Sequence, residues 1–213
     1  MFGWIICAVF LMSMTACDTP EEKQKKETVK ALLARGIQEG DYNLELMRAV
    51  LCKDLEKAGL LVTAGVKSDM SCDFDSDEGL VPDPMTIAIC TGQKEMVQLL
   101  LGHVTECRLH LGFWVRGVED SDRFKDECRK AGYDDETVKH ITGAYRCSVG
   151  ESYLSTALRC GNVEIAEMVF AAFPNDKVSA DTLNFAWRLY AQYNDKMREL
   201  LKQIEARQSK DTK

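Results

Sequence analysis

The chain has 213 residues, of which 46% are hydrophobic, and a formal net charge of −7. This length supports one globular unit with a substantial core rather than a series of domains. The acidic balance argues against a nucleic-acid partner and against broad adhesion to anionic lipid, because both of these carry negative charge themselves.

The first residues predict an exported protein with a lipid anchor. An uncharged apolar run at residues 2–11 is too short to cross a bilayer as a helix, which takes about 20 residues, but it fits the hydrophobic part of a signal peptide. Residues 14–17 (MTAC) follow and resemble the lipobox of bacterial lipoproteins, which implies a signal peptide of residues 1–16 and acylation of Cys17. Met14 replaces the usual leucine, and no Lys or Arg precedes the apolar run. The alternatives are an ordinary signal peptide and a misplaced start codon.

Lipid on Cys17 would anchor the chain without spanning the membrane. By the same resemblance, Asp18 directly after the cysteine implies retention at the inner membrane, so we expect the chain at the periplasmic face of that membrane. The polar residues 17–26 predict a short tether that becomes helical toward Val29.

One hydrophobic sequence motif, which we call the phrase, occurs three times in the rest of the chain. It opens at residues 46–49, 85–88 and 154–157, and each copy continues with a turn and a second apolar run. The turn has Gly92 in the second copy and Gly161 in the third, and Lys53 stands in place of this glycine in the first. The apolar residues recur at helical spacing, which predicts two short helices per copy, at residues 85–90 and 95–101 in the second. Such pairs bury their apolar faces only by stacking on neighbours. A fixed repeat therefore predicts a solenoid, and solenoids usually bind rather than catalyse.

The phrase resembles the ankyrin repeat. Residues 84–88 (PMTIA) keep much of the signature Thr-Pro-Leu-His-x-Ala, with Asp83 in place of its threonine and Thr86 in place of its histidine. The resemblance covers most of residues 27–205, which implies an all-α ankyrin-repeat solenoid followed by a polar tail at 206–213. The alternative is a plain helical bundle, which helical periodicity alone does not exclude.

Less regular units complete the expected array. Residues 29–36 match a second helix alone, as an N-terminal cap would. Residues 124–141 fit a repeat only with a one-residue insertion, but Ala88 and Ala157 lie 69 residues apart, which is about two repeats of roughly 33. A last unit begins at residue 183. We expect a cap followed by four or five repeats.

By the ankyrin resemblance, a partner would meet the loops between repeats and the outward side of the first helices. The acidic loop at residues 69–78 breaks the repeat spacing and has alternating aspartates similar to the opening of an EF-hand. However, Glu78 and Pro84 stand where calcium loops need Gly and Glu. The other interpretations of this loop are contact with a basic partner and simple solvation.

A second loop, at residues 108–122, places aromatic rings beside an arginine. Trp and Arg are enriched at interface hot spots, although these rings are equally suited to capping the core. The complete set of expected partner-binding residues is Asp73, Asp75, Asp77, Glu78, Leu51, Thr91, Phe113, Trp114, Arg116 and Arg159.

Seven of the nine cysteines follow residue 17, and disulfides are plausible in an exported chain. Cys52, Cys90 and Cys160 hold related places in different copies of the repeated phrase. Stacked first helices lie about 8–10 Å apart, so we expect such equivalent positions to be too distant for a disulfide. A cytosolic form starting at Met12 or Met14 is an alternative that would keep the thiols reduced. The better candidates for pairing are the expected loop residues Cys72, Cys107, Cys128 and Cys147.

The sequence predicts no enzyme and no cofactor. His103, Cys107 and His110 offer three zinc ligands, but no fourth follows at a recognised spacing. The chain has no nucleophile-elbow, P-loop or dinucleotide motif, and its carboxylates cannot be paired as acid and base from spacing alone. The alternative is a metal-binding or catalytic lipoprotein that uses these three residues.

Lipid-anchored ankyrin proteins that resemble this chain occur as immunity proteins beside phospholipase effectors of type VI secretion. The resemblance implies that the chain binds and neutralises such a toxin at the membrane under attack. The alternative function is a scaffold for a resident cell-envelope assembly or for an oxidative-stress enzyme.

Overall fold

A computed structural model describes residues 19–69, 81–104, 122–148 and 152–210. These ranges fold into eleven α-helices and one 3-10 turn, which confirms the predicted all-α class. No helix within them is both long enough and apolar enough to cross a membrane. The helices are α1 (Pro20–Ala34), α2 (Tyr42–Leu51), α3 (Leu55–Thr63), α4 (Pro84–Cys90), α5 (Lys94–Leu101), α6 (Asp122–Lys130), α7 (Asp135–Ser148), α8 (Tyr153–Cys160), α9 (Val163–Ala172), α10 (Ala180–Leu189) and α11 (Asp195–Gln208), and the 3-10 turn is Glu39–Asp41.

Eight of these helices form four pairs that stack in a row. The pairs are α2–α3, α4–α5, α8–α9 and α10–α11, and within each pair the two helices contact each other. The first helices of successive pairs also contact each other, and the second helices do so in the same order. Helix α1 packs against α3 and thus occupies the second-helix place of an incomplete leading unit.

Side-chain caps start most of the paired helices. A polar side chain in front of each helix accepts a hydrogen bond from the backbone N–H three residues later, which satisfies an amide that has no partner inside the helix. The first helices α4, α8 and α10 are capped by Asp83, Ser152 and Ser179, and the second helices α3, α9 and α11 by Asp54, Asn162 and Asn194. The helix boundaries therefore follow from local sequence.

The turn inside each of the first three pairs contains a left-handed residue. Gly92 and Gly161 have φ of +69° and +72°, and Lys53 adopts φ of +57° at the same place in the first copy. Glycine takes this conformation freely, whereas an L side chain is strained there by about 1–2 kcal/mol. The lysine thus replaces the glycine of the phrase without changing the path of the chain.

The repeated phrase supplies the core of the stack. Leu46, Met85 and Leu154 open its three copies and are completely buried. The alanines that close the same tetrapeptides are also buried, as expected where neighbouring helices approach closely. One continuous core therefore runs along the row.

Helix α1 begins earlier than the sequence predicts. We expected a polar tether through residue 26, but the helix starts at Pro20. Thr19 accepts a hydrogen bond from the amide of Glu22, and the Glu22 carboxylate accepts one from the amide of Thr19. This capping box, with proline in the first turn, sets the start of the helix. Most of residues 17–26 are thus a helical spacer.

Helices α6 and α7 do not form the intervening repeat that their position predicts. Pair α4–α5 packs directly on pair α8–α9, so no pair stacks between Ala88 and Ala157. The α6–α7 hairpin turns at Gly132, and its helices contact the first helices α2, α4 and α8. The prediction of a repeat between Ala88 and Ala157 was wrong. Their separation along the chain shows only that enough residues for a further repeat lie between them, and not that those residues stack in the row.

Candidate binding face and thiol cluster

The first helices α2, α4 and α8 present one side of the row, which we call the first-helix face. The α6–α7 hairpin lies across this face, with α6 against α2 and α7 against α4 and α8. Ile87 and Thr156, which directly precede the buried alanines of α4 and α8, have no exposed surface. The α6–α7 hairpin therefore occupies part of the face on which the sequence places a partner.

An ion pair anchors the hairpin to the first pair. Arg48 donates from Nε to Oε2 of Glu127 at 2.8 Å and from Nη2 to Oε1 at 3.0 Å. Lys130 donates to Oε1 of the same carboxylate at 2.9 Å. The hydrogen bonds from Arg48, followed by that from Lys130, lower the pKa of Glu127 to about 2 even though burial opposes the change. The bidentate, charge-assisted geometry makes this the strongest polar contact between α2 and α6 in the described residues.

The same arginine connects the hairpin to helix α3. Arg48 donates from Nη1 to Glu45 at 2.7 Å, and Lys57 of α3 pairs with the other oxygen of Glu45. Burial raises the pKa of Glu45, but the hydrogen bonds from Lys57 and Arg48 outweigh it and lower the pKa overall. A cleft of about 250 Å³ opens beside this network and is lined in part by Cys52.

A thiol cluster lies where α4, α7 and α8 meet. Cys90 is the last residue of α4 and Cys160 the last of α8, and their Sγ atoms are 2.6 Å apart. His140 of α7 also hydrogen-bonds to Cys160. The hydrogen bond with Cys90 and then that with His140 lower the pKa of Cys160, whereas the shared bond and burial raise the pKa of Cys90. The arrangement therefore favours the thiolate form on Cys160 rather than on Cys90.

A buried carboxylate joins the opposite ends of α4 and α8. Asp83 Oδ1 accepts hydrogen bonds from the amide of Thr86 at 2.9 Å and from the hydroxyl of Tyr153 at 3.2 Å, and Oδ2 accepts one from the Thr86 hydroxyl at 2.8 Å. Burial raises the pKa of Asp83 to about 6 against these three bonds. The two helices are thus held together near their first turns by Asp83 and Tyr153.

Three of the predicted partner-binding residues lie in the described part of the chain. Leu51 is only 2% exposed and belongs to the core, so its prediction as a contact residue is wrong. Thr91 is half-buried and its hydroxyl donates to the carbonyl of Ile87 at 2.7 Å. Arg159 is half-buried, and its guanidinium lies over the ring of Phe185 at 5.6 Å from the centroid. Both polar side chains already make contacts within the protein.

The remaining predicted site residues lie outside the described ranges, and their roles stay predictions. These are the lipidation site Cys17, the acidic residues Asp73, Asp75, Asp77 and Glu78, and the aromatic loop residues Phe113, Trp114 and Arg116. Of the three possible zinc ligands only His103 is described. Across the described ranges, no group of three or more His, Cys, Asp or Glu side chains is placed to hold a metal ion.

The expectation that Cys90 and Cys160 are too far apart is wrong. A separation of about 8–10 Å applies to helix axes, and side chains that face each other across the interface cover most of it. Cys128, expected in a loop, lies fully buried in α6, where burial raises its pKa to about 12. Cys147 lies in α7, and Cys72 and Cys107 fall outside the described residues.

Sequence reasoning missed Glu127 and His140. No motif marks either residue, because their partners Arg48 and Cys160 lie in other helix pairs. The charge pattern of α6, with Glu127 three residues before Lys130, indicates only an ordinary exposed helix. Their roles depend on the hairpin crossing the first-helix face.

No protein-family model, curated protein or solved structure matches this chain. The described residues themselves define its class, which is an all-α protein of four stacked helix pairs with a leading helix and a crossing hairpin.

Proposed function

We propose that the chain is a protein-binding module of the ankyrin-repeat type. More particularly, we propose an immunity protein that binds and neutralises a phospholipase effector of type VI secretion. The supporting observation is the row of short helix pairs, in which each copy of the repeated phrase opens with a fully buried residue and is followed by a left-handed turn between the two helices of its pair. Such rows offer an extended surface, which is suited to a large protein partner.

The proposed contact surface is the outer side of the α6–α7 hairpin together with the loop that leads into it. Residues 102–121 connect α5 to α6, so Trp114 and Arg116 lie within ten residues of the hairpin. Tryptophan and arginine are the side chains that most often dominate binding energy at such surfaces. The acidic residues 73–78 supply negative charge that favours encounter with a basic partner.

A second element of the proposed surface lies at the far end of the row. Tyr193, in the turn between α10 and α11, is 87% exposed, and Leu189 at the end of α10 is 44% exposed. A large aromatic ring left in water is suited to burial against a partner, and tyrosine does this at low conformational cost. Tyr193 is therefore the described residue that we expect to contribute most to binding.

The proposed mechanism is steric. The bound chain would cover the approach of phospholipid to the effector and would need no chemistry of its own. Acylation of Cys17 would hold the chain on the membrane that the effector attacks, and helix α1 would act as the spacer between the lipid and the row. A tethered inhibitor acts at a raised local concentration, which favours capture of an incoming toxin.

We expect a lipase-type effector to be encoded beside this gene, and the test begins with that effector. We expect the two purified proteins to form a stable complex in calorimetry and gel filtration, and the chain to suppress hydrolysis of phospholipid vesicles by the effector. Bacteria that lack the chain are expected to lose viability against neighbours that deliver the effector. Replacement of Cys17 by serine should weaken protection of cells without weakening binding in solution.

Two variants test whether the effector binds at the proposed contact surface. W114A/R116A and Y193A should each weaken binding at least tenfold, which corresponds to about 1.4 kcal/mol. The control is K94A, because Lys94 and Glu164 form an exposed ion pair on the second helices and such pairs contribute little. Survival of the deletion strain together with a failure of the proteins to associate would refute the proposal. A deletion that disturbs an envelope assembly without toxin sensitivity would instead favour the scaffold function.

A further inference from the structure

We propose that Cys90 and Cys160 form a redox-active dithiol, which a low-molecular-weight disulfide such as oxidised glutathione converts to an intramolecular disulfide between α4 and α8. The two Sγ atoms are 2.6 Å apart, which is closer than sulfur atoms that merely touch. A movement of a few tenths of an ångström would bring them to the bonded distance of about 2.05 Å. The inference is independent of the partner proposed above.

The surrounding structure keeps the two thiols opposed. Asp83 and Tyr153 join the first turns of α4 and α8, and the thiols meet at the last turns of the same helices. The Asp83–Tyr153 bond and the direct packing of α4 on α8 thus fix the two helices side by side, with their last residues next to each other. Cys90 lies just before the turn that contains Gly92, and Cys160 lies just before the turn that contains Gly161. Both residues are half-buried.

The chemistry is two successive exchanges. The Cys160 thiolate, which accepts hydrogen bonds from Cys90 and His140, attacks one sulfur of oxidised glutathione and expels a glutathione thiolate. Cys90 then loses its proton and attacks the Cys160 sulfur of the mixed disulfide, which expels the second glutathione thiolate. The protein loses two electrons and two protons, and one glutathione disulfide becomes two glutathione thiols.

The bond would have two consequences for the fold. It would close a loop over residues 91–159, which includes α5 and the whole α6–α7 hairpin, and so restrict the unfolded chain. It would also remove the thiolate to which His140 bonds. Because that bond raises the pKa of His140 in the reduced protein, oxidation should lower it.

The test uses the purified full-length chain. The reduced protein is incubated in oxidised glutathione, its remaining thiols are alkylated, and the tryptic peptides are identified by mass spectrometry. We expect a cross-linked species that joins residues 68–94 to residues 160–177. Because the first peptide also contains Cys72, the experiment is repeated in C72S. The oxidised protein should unfold at a higher urea concentration than the reduced protein.

Matched variants separate this pair from other thiols. C90S and C160S should each abolish the cross-link and remove the shift in urea midpoint between oxidising and reducing conditions. C52S is the control, because Cys52 is an exposed cysteine at a related place in the first copy, and it should behave like the parent. H140Q should slow formation of the bond severalfold while leaving the position of the cross-link unchanged, since it removes a hydrogen bond to the attacking thiolate.

Three outcomes would overturn the inference. One is a folded chain that stays fully alkylatable at Cys90 and Cys160 in oxidised glutathione. Another is a stable glutathione adduct on Cys160 that never resolves to the internal bond. The third is a cross-link that appears only after the chain is unfolded in urea, which would mean that the native structure does not bring the thiols together.

Discussion

Arg48 and Glu127 lie 79 residues apart in the chain and form a two-bonded ion pair between α2 and α6, at 2.8 and 3.0 Å. The carboxylate is buried, whereas the arginine side chain is 37% exposed. This ion pair and the contacts of α7 with α4 and α8 hold the α6–α7 hairpin against the first-helix face. The hairpin is therefore not one more repeat in the row. The stability of this attachment of the hairpin is therefore the first property to measure.

The first prediction concerns Glu127→Gln. Glutamine keeps the shape of the side chain but loses the charge that receives bonds from Arg48 and Lys130. Because Glu127 is buried and Arg48 is partly exposed, we expect the free energy of unfolding at pH 7 to fall by about 1–3 kcal/mol. Urea denaturation measures the loss, and hydrogen exchange should show faster opening of α6.

Asp126→Asn is the control, because this neighbouring carboxylate is exposed and pairs with Arg129 at 3.0 Å. Its cost should stay below about 0.5 kcal/mol. The pKa of Glu127 is lowered to about 2 from 4.5, so its contribution is present above pH 4.5 and is lost as the pH falls toward 2. A difference between E127Q and the parent that persists unchanged at pH 2–3 would contradict the ion-pair explanation.

The second prediction concerns the pH dependence that Asp83 contributes. Its pKa is raised to about 6 from 3.8 by burial, so the folded state binds a proton more tightly than the unfolded state. This contribution to stability is fully present below pH 3.8 and is lost as the pH rises through 6. Between pH 4 and 7 it should amount to about 2–3 kcal/mol.

Asp83→Asn provides the measurement. Asparagine is also a good N-cap residue. Its side-chain N–H can donate a hydrogen bond to the hydroxyl of Thr86, which now donates to Asp83 but can also accept. We expect D83N to be at least as stable as the parent at pH 7, with the advantage disappearing as the pH falls to 4. Parallel pH profiles for the two proteins would show that Asp83 titrates at an ordinary pKa in the fold.

The third prediction compares two glycines with the same backbone conformation. A Cβ on Gly161 would lie 2.7 Å from two ring atoms of Tyr190, whereas a Cβ on Gly92 would meet Asn162 at 3.5 Å. The Tyr190 ring is fixed, because its hydroxyl donates to the carbonyl of Arg159 at 2.8 Å. G92A should cost about 1 kcal/mol from the positive φ alone, and G161A about 2–4 kcal/mol. Equal losses in urea denaturation would mean that the ring moves aside without cost.

The fourth prediction is a gain of stability from Lys53→Gly. Lysine at φ of +57° is strained, and glycine relieves this strain while adding some entropy to the unfolded chain. We expect the free energy of unfolding to rise by about 0.5 kcal/mol. Lys53→Ala is the matched control, since alanine carries the same Cβ and should show no gain. A loss of stability in K53G would mean that the lysine side chain makes a favourable contact.

Much of the helix pairing could be predicted from the sequence. The expected helices at residues 85–90 and 95–101 agree with α4 and α5 to within one residue at each boundary. The phrase also identified Lys53 as the substitute for glycine. These features are local, because a cap, an apolar stripe or a left-handed turn is set by residues a few positions apart.

The candidate site was predicted less well. Leu51 faces the core although its place in the phrase indicated an outward position, and the sulfur atoms of Cys90 and Cys160 meet although helix spacing argued against it. The cysteine error came from applying the spacing of helix axes to side chains that face each other, and from expecting a repeat between α4 and α8. Once α4 packs directly on α8, the orientations at that interface depend on the actual crossing of two helices, which sequence spacing does not define.

The sequence by itself determined the all-α class, the helix pairs and their turns, because each depends on residues that are neighbours in the chain. Only the tertiary structure decided where the α6–α7 hairpin lies and which side chains meet there. The contacts of Glu127 with Arg48, and of Cys160 with Cys90 and His140, join residues that the sequence gives no reason to pair. Their energies depend on burial and on exact opposition of distant side chains, and packing of the whole row supplies both. The repeated phrase thus defines the row, and the contacts across it place the α6–α7 hairpin.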